Sequence, residues 1–263
     1  MAKTLPDNTI IDARSARWIG AADSPVRWGG GDALCWTGGL VQGLYPETDS
    51  WSRLHDTKAM RVGQTGGARA TIEGFRAINY GDGISLEDGA EDFLIRGVHL
   101  THMRDDCIED DFARGGTIED SFFEGCYVWI ATRPRPSKAA GVDGSGRRLL
   151  IERNVVWMEP MASVYSGPSP STSAVFKVDR SPPSVSPKMI LRHNVLRVDV
   201  APGVGDACLD PEALVVESVG NVVVWLGEGE YPCLPLPRGW SLTRDRAVWE
   251  QAVAAWKARH PGS

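Results

Sequence analysis

The densest group of ionisable side chains in this 263-residue chain lies between positions 99 and 111. Five of the seven residues that begin at Asp105 are carboxylates, namely Asp105, Asp106, Glu109, Asp110 and Asp111. Carboxylates at this density repel one another unless a cation, an arginine or a shared proton compensates their charge. The segment therefore predicts either a chemical site that uses carboxyl groups or an acidic turn that faces solvent.

A short motif that recurs along the chain indicates what positions these acids. It begins as Ile72-Glu73-Gly74-Phe75, and its later copies begin at Ile95, Ile118, Ile151, Leu191 and Val216. The first three copies are 23 residues apart, a period that suits one turn of a parallel β-helix rather than a heptad or a helical-hairpin repeat. The later gaps of 33, 40 and 25 residues predict insertions of roughly ten and seventeen residues on one face, where repeat proteins carry binding loops.

The expected architecture is an all-β solenoid, a single-stranded parallel β-helix that forms one domain over residues 1–263, with its coils in about 1–240. Trp249, Val253 and Trp256 recur at helical spacing, which predicts a C-terminal α-helix over 241–260. Because a solenoid must cover its terminal edge, we expect this helix to cap or flank the coils. Binding of a partner protein is the alternative role.

Residues rich in strand formers predict the first coils at 9–13 and 40–43, broken by a glycine turn at 29–31. The segments 133–146 and 159–173 are rich in Pro, Gly, Ser or charged residues, so they are predicted to be the inserted loops.

Within the regular stretch 70–130, successive side chains along a strand should point alternately to the core and to solvent. Ile84 and Leu86 should lie in the core, while Gly83 and Ser85 should face solvent.

The overall composition excludes some functions. A net charge of −6 and a pI near 5.4 do not indicate a nucleic-acid surface. The sequence contains no run of eighteen apolar residues, so no membrane span is predicted. The first residues lack the apolar centre of a signal peptide, so the expected location is the cytoplasm, or a secreted or periplasmic one if a leader was removed. We expect a monomer.

The five cysteines do not show a close, even spacing typical of a disulfide framework or of a zinc site. They are predicted to be mostly small buried side chains. Cys208 and Cys233 are 25 residues apart, close to one coil, so they could lie side by side.

The repeat brings a third acid to the cluster. Asp82 precedes Asp105 by 23 residues and Asp106 by 24, so it should lie one coil away, at about 4.8 Å along the stack. Two carboxyl groups can act on opposite sides of a glycosidic bond, one protonating the leaving oxygen while the other activates water. Crowding raises the pKa of one of them and so supplies the acid.

These residues resemble motifs of a known family. Asp82-Gly83-Ile84 and Asp105-Asp106-Cys107-Ile108 are similar to the Asn-Thr-Asp-Gly and Gly-Asp-Asp-Cys motifs of polygalacturonase-type glycoside hydrolases, right-handed parallel β-helices of the pectate-lyase-like superfamily. The resemblance implies that Asp82, Asp105 and Asp106 are catalytic, one as general acid and the others positioning water. The chain departs from the family pattern in Arg104, where the family has glycine, and in the absence of its histidine motif.

A family member would need groups that hold the sugar. The candidates are His102, near the acids, and three basic residues that could bind a substrate carboxylate, Arg133, Arg135 and Lys177. The guanidinium group of an arginine can bind a carboxylate through two parallel hydrogen bonds. The expected substrate is therefore a polysaccharide, which could contain uronic acids, and hydrolysis requires no cofactor.

Two other functions remain open from the residues alone. A calcium-assisted lyase would bind Ca²⁺ through Asp105, Asp106, Glu109, Asp110 and Asp111, because hard oxygen ligands suit this ion, while Lys177 or an arginine removed a sugar proton. A non-catalytic glycan-binding solenoid would instead stack sugars on tryptophans such as Trp28, Trp36 and Trp51.

Overall fold

The computed structural model describes residues 3–46, 48–164, 167–201, 208–209 and 213–262. The described part is mostly strand. Its strands are β1 (Lys3–Leu5), β2 (Ile10–Asp12), β3 (Arg17–Ala21), β4 (Val26–Gly30), β5 (Cys35–Thr37), β6 (Leu40–Gly43), β7 (Lys58–Gly66), β8 (Thr71–Glu73), β9 (Arg76–Tyr80), β10 (Asp82–Leu86), β11 (Phe93–Arg96), β12 (His99–Glu109), β13 (Gly116–Glu119), β14 (Phe122–Thr132), β15 (Arg148–Glu152), β16 (Val155–Met158), β17 (Met161–Ser163), β18 (Gly167–Ser171), β19 (Phe176–Val178), β20 (Lys188–Arg192), β21 (Val195–Val198), β22 (Val215–Val219), β23 (Asn221–Trp225) and β24 (Trp240–Thr243). The helices are α1 (Trp51–Leu54) and α2 (Arg246–Arg259).

Two long parallel sheets carry the fold. The first runs β1-β4-β7-β10-β12-β14-β16-β21-β23-β24, and the second runs β2-β5-β8-β11-β13-β15-β20-β22. Strands β3, β6 and β9 form a further row that joins the first sheet at β12, and β19 joins it at β14. The chain visits both sheets repeatedly and adds a parallel strand each time, so the predicted parallel β architecture is confirmed in a form consistent with a β-helix-like fold.

The repeated motif forms the centre of the second sheet. Its first residues pair with one another across successive strands and are almost completely buried: Ile72, Ile95, Ile118, Ile151 and Leu191. Burial of stacked, in-register aliphatic side chains of this kind stabilises the stack.

The sixth copy of the motif is an exception. Val216 was expected to pair with Leu191, but Leu191 pairs with Ser218, two residues further along, and the residue that pairs with the buried Met189 is Val215. Val216 is therefore 58% exposed. Val215 packs against the core instead, and because neighbouring residues of a strand point to opposite faces, Val216 points outward, which the spacing alone cannot reveal.

The third motif position explains why the motif contains glycine. Gly74 and Gly97 have φ of +63° and +60° and turn the chain from the second sheet towards the first. A left-handed backbone suits glycine because it lacks a Cβ. Later copies place Asp120, Arg153 and His193 in the same conformation, with φ between +44° and +55°, and so accept its steric cost.

A buried ladder of amides begins one residue after that bend. Asn194 Oδ1 accepts hydrogen bonds from the backbone N of Asn154 at 3.0 Å and from its side chain at 3.1 Å, while Asn194 Nδ2 donates to the carbonyl of Ile151 at 2.9 Å. Asn221 repeats the arrangement against Asn194, and all three asparagines are fully buried. Each amide satisfies backbone groups at the bend that would otherwise be buried without partners.

Several local expectations changed. Ile84 and Leu86 are core residues as predicted, but Gly83 and Ser85 are also buried, so the expectation that they face solvent is wrong. The predicted break at 29–31 is wrong in part because Gly29 and Gly30 continue β4. The predicted loop 159–173 contains the β17–β18 hairpin, the one antiparallel pairing among the described strands.

The cysteines differ from the prediction. Cys107 is bonded to Cys126 and Cys208 to Cys233, which leaves Cys35 as the free thiol. The expected proximity of Cys208 and Cys233 is confirmed. The expectation of mostly unbonded thiols is wrong because neighbouring repeats bring residues about one period apart within bonding range.

The C-terminal helix is present and flanks the sheet. Asp245 caps its first turn by accepting a hydrogen bond from Ala247 N at 2.9 Å, and the preceding residues form β24 instead. Trp249 and Trp256 are buried, and they pack with Phe122, Val155 and Val224 on the outer face of the first sheet. Neither described helix is long and apolar enough to span a membrane.

We expect Asn194→Ala to lower the free energy of unfolding by roughly 2–4 kcal/mol, because it leaves buried donors on Asn154 and a buried acceptor at Ile151 without partners. Urea denaturation followed by circular dichroism measures this loss. The control is Gln251→Ala, which removes an exposed amide from α2. Equal midpoints for both variants would contradict a structural role for the ladder.

Candidate functional site

Ionisable residues from neighbouring strands of the first sheet meet at one place. Lys58 of β7 lies opposite Asp82 of β10. The register of β10 with β12 then brings Asp106 beside Asp82, whose Oδ1 accepts a hydrogen bond from the backbone N of Asp106 at 3.1 Å. The predicted stacking of Asp82 on the Asp105–Asp106 pair is therefore present.

A lysine that enters after the second insertion completes the group. Strand β19 pairs with β14 so that Lys177 lies opposite Ala131. Lys177 Nζ is 3.0 Å and 3.3 Å from the two carboxylate oxygens of Asp106, and 3.9 Å from Asp105 Oδ1. Its ammonium therefore compensates the charge of the adjacent aspartates.

Lys58 supplies a second ammonium group inside the cluster. Its Nζ contacts Asp82 Oδ2 and Glu109 Oε2, and only 6% of its side chain is exposed. Glu109 is held in turn by Ser85 Oγ, which donates to Oε2 at 2.7 Å. A buried ammonium needs such partners because burying it unpaired would cost several kcal/mol.

The cluster lies in a cleft of about 580 Å³. Lys58, Asp82, Asp105, Glu109 and Lys177 line it. One wall comes from α1 and the residues after it; the other comes from the two insertions, which contribute Arg133, Arg135, Lys138, Ser173 and Ala174. Both predicted insertions thus reach the same face, as the repeat spacing indicated.

Burial and crowding change the proton affinity of these acids. Burial raises the pKa of Asp105 and of Asp106 to about 7 despite the opposing charge of Lys177. Burial, together with the charge of Glu109, raises the pKa of Asp82. Glu109 behaves in the opposite way: although burial works against its charged form, Lys58 lowers its pKa to about 2. Near neutral pH the cluster therefore contains an ionised Glu109 and carboxyls that still exchange protons.

Other predicted site residues lie apart from this group. Asp110 accepts backbone hydrogen bonds from Arg114 N at 3.1 and 2.8 Å, so it stabilises a turn. Asp111 pairs with Lys138 at 2.8 Å on the cleft wall. His102 does not line the cleft; its Nδ1 lies 2.8 Å from Glu159 Oε2.

The arrangement can be compared with what calcium requires. Oxygens of Asp82, Asp106 and Glu109 lie within 4.8 Å of one another, whereas Asp110 and Asp111 face other partners. The five acids of the calcium hypothesis therefore do not converge. The three that do are hard oxygen donors of the kind Ca²⁺ accepts, but each is already bonded to a lysine ammonium.

The tryptophans considered for glycan stacking are mostly inaccessible. Trp28 and Trp36 are 2% and 6% exposed within the main core. Trp51 lines the cleft, where the imidazole of His55 stacks on it with ring centroids 4.2 Å apart.

Sequence reasoning missed Lys58 and Ser85 and considered Glu109 only as a calcium ligand. The signal was available in the repeat, because Lys58 precedes Asp82 by 24 residues just as Asp82 precedes Asp106. The 24-residue period thus places a lysine one coil before Asp82, as the counter-charge that a buried carboxylate needs.

No model of a known protein family matches this sequence, and neither the curated proteins nor the solved structures that were compared with it contain a match.

We expect Asp105→Asn to make stability less dependent on pH. Because the folded-state pKa of about 7 lies above the unfolded value near 4, the acid contributes stability below about pH 4 that is lost as the pH rises through 7. At pH 8 the variant should therefore be more stable than the wild type by up to about 4 kcal/mol, since each of the three pKa units corresponds to about 1.4 kcal/mol, and near pH 4 the difference should vanish.

Thermal unfolding between pH 4 and pH 8 measures this difference. The control is Asp92→Asn, an exposed aspartate whose left-handed backbone, with φ of +53°, asparagine also accepts. A constant difference between Asp105→Asn and the wild type across the pH range would refute the raised pKa.

Proposed function

We propose that this protein hydrolyses glycosidic bonds of a polysaccharide, with Asp105 as general acid and with Asp82 and Asp106 positioning and activating water. The observation that carries the proposal is the buried cluster in an open cleft, where Asp105 has a pKa of about 7 beside aspartates bonded to lysines. An acid with this pKa holds a proton near neutral pH and can release it to a leaving oxygen.

Exposure supports the division of roles. The side chain of Asp105 is 18% exposed, whereas those of Asp82 and Asp106 are 1% exposed. The general acid must reach the glycosidic oxygen, which suits Asp105. The two deeper aspartates contact Lys58 and Lys177, whose charges oppose the rise in pKa that burial causes. Asp106, with a pKa of about 7, can therefore take up a proton from water near neutral pH.

The fold supports the same proposal by analogy. We propose that the two sheets wind as one right-handed, single-stranded β-helix of the pectate-lyase-like kind, which carries the polygalacturonase-like motifs at Asp82 and at Asp105–Asp106. The in-register repeat and the alternating visits to both sheets support this architecture. Analogy of fold alone would not assign an activity, so the cluster remains the main support.

Hydrolysis is favoured over β-elimination by the state of Lys177. Burial works against its charge, but Asp106 and Asp105 outweigh that effect and raise its pKa, so it stays protonated at neutral pH. A lyase base must be unprotonated to remove a sugar proton. Lys58, which also lines the cleft, is equally unsuited to be the base of a lyase, because Asp82 and Glu109 raise its pKa despite burial and keep it protonated.

The cleft rim supports an acidic polymer as substrate. Arg133 and Arg135 are exposed at the rim, and Arg133 has no ion-pair partner among the described residues. An unpaired guanidinium can bind a sugar carboxylate in bidentate fashion. The two disulfides support a secreted or periplasmic location, because disulfides persist in oxidising compartments.

Incubation with a panel of uronic-acid and neutral polysaccharides tests the activity. We expect new reducing ends without the ultraviolet absorbance of an unsaturated product, and a loss of about 10²–10⁴ in kcat for Asp105→Asn and Asp106→Asn. Asp92→Asn should retain wild-type activity. Unsaturated products would favour the lyase instead, and full activity of Asp106→Asn would remove the catalytic assignment.

Arg133→Ala tests the acidic substrate separately. The variant should raise KM roughly tenfold for a uronic-acid polymer, the cost of about 1.4 kcal/mol expected for losing a charged contact, with little change in kcat. Its KM for the same polymer after esterification of the carboxyls should equal that of the wild type. A KM that rises equally for both polymers would contradict carboxylate binding by Arg133.

A further inference from the structure

The most unusual feature of the cleft is a lysine where a metal ion would fit. Oxygens of Asp82, Asp106 and Glu109 from two adjacent strands lie within 4.8 Å of one another, a spacing that a divalent cation could bridge. Lys58, from the strand on the other side of Asp82, directs its ammonium to two of these three acids. The ammonium is buried with them.

The ion-pair partners of Lys58 hold its ammonium group in the cluster. Ser85 donates a hydrogen bond to Glu109, and Glu109 stays ionised at neutral pH, because Lys58 outweighs the effect of burial and lowers the pKa of Glu109 to about 2. Lys58 therefore keeps one counter-ion even when Asp82 gains a proton. This allows Asp82 to change its protonation state without releasing the lysine from the site.

We propose that the ammonium of Lys58 is a built-in cation that takes the place of a divalent metal among Asp82, Asp106 and Glu109, and that it positions Asp82 for catalysis. The proposal deepens the hydrolase function and depends on it for the catalytic part only. Lys58 acts through Asp82 and Glu109, so it is a positioning residue.

The balance of charges explains why an ammonium group can stand in place of a metal ion here. Four carboxylates, Asp82, Asp105, Asp106 and Glu109, share two ammonium groups, those of Lys58 and Lys177. Removing Lys58 leaves its two former partners with a buried negative charge that lacks compensation, which is the condition under which oxygen ligands bind a hard cation. The wild type, by contrast, offers such an ion three acids that already have partners.

Calcium titration of the full chain by calorimetry tests the proposal without relying on activity. The wild type should give no saturable binding, and neither chelator nor added Ca²⁺ should change its melting temperature. Lys58→Met should gain one saturable Ca²⁺ site, and Ca²⁺ should raise its melting temperature. The double variant Lys58→Met with Glu109→Gln is the matched control, and it should lose that site.

Activity adds a second readout. Lys58→Met should lose at least a hundredfold in kcat in chelator and recover part of it in Ca²⁺, while Lys58→Arg, which keeps a cation, should retain more activity than Lys58→Met and gain no Ca²⁺ site. If Lys58→Met folds only with Ca²⁺, that too supports the proposal. If it folds under neither condition, Lys58→Gln enters the same titration in its place.

Two outcomes overturn the proposal: saturable Ca²⁺ binding by the wild type that Glu109→Gln abolishes, or failure of the folded Lys58 variant to gain a site. Its failure is separable from that of the hydrolase. A protein that cleaves no glycan but shows the expected calorimetry retains the built-in cation and loses the proposed activity. If the protein cleaves a glycan but chelator inactivates it, the hydrolase proposal is retained and the built-in cation is lost.

Discussion

In-register hydrogen bonding between parallel strands of successive repeats is the constraint on which the rest of this structure depends. It stacks the motif isoleucines into a core and aligns the buried asparagines at the bend. It also fixes the heights of Lys58, Asp82 and Asp106 relative to one another. Since strands in a sheet lie about 4.8 Å apart, residues one period apart in sequence must become neighbours in space.

The same register concentrates negative charge that the fold must compensate. Four carboxylates come together where the first sheet borders the cleft, and burial disfavours their ionised forms. Two lysines from strands on either side of the acids offset this cost. The disulfide between Cys107 and Cys126 joins the strand that carries Asp106 to its neighbour. A site that would be unfavourable in isolation is thus held by lysines from neighbouring strands of the sheet.

Much of the candidate site followed from spacing. Asp82 and Asp106 are 24 residues apart, and the prediction that they stack is correct. The density of acidic residues in the sequence was a weaker guide to which acids share the site. Asp110 belongs to the same acidic run, but its carboxylate accepts backbone hydrogen bonds in a turn and does not join the cluster. A run of acids along one strand and its following turn projects in several directions, so proximity in sequence did not imply a shared site.

The sequence by itself determined the period, the parallel strands stacked upon it, the amphipathic helix and the alignment of Asp82 with Asp106. These are local or periodic properties, and hydrophobic spacing encodes them directly. The tertiary structure alone decided that Lys177 joins Lys58 in neutralising the cluster, that Ser85 is buried, and that Val215 rather than Val216 packs against the core. Those outcomes depend on which side chains a long insertion or a one-residue slip brings together, and no periodic pattern records that choice.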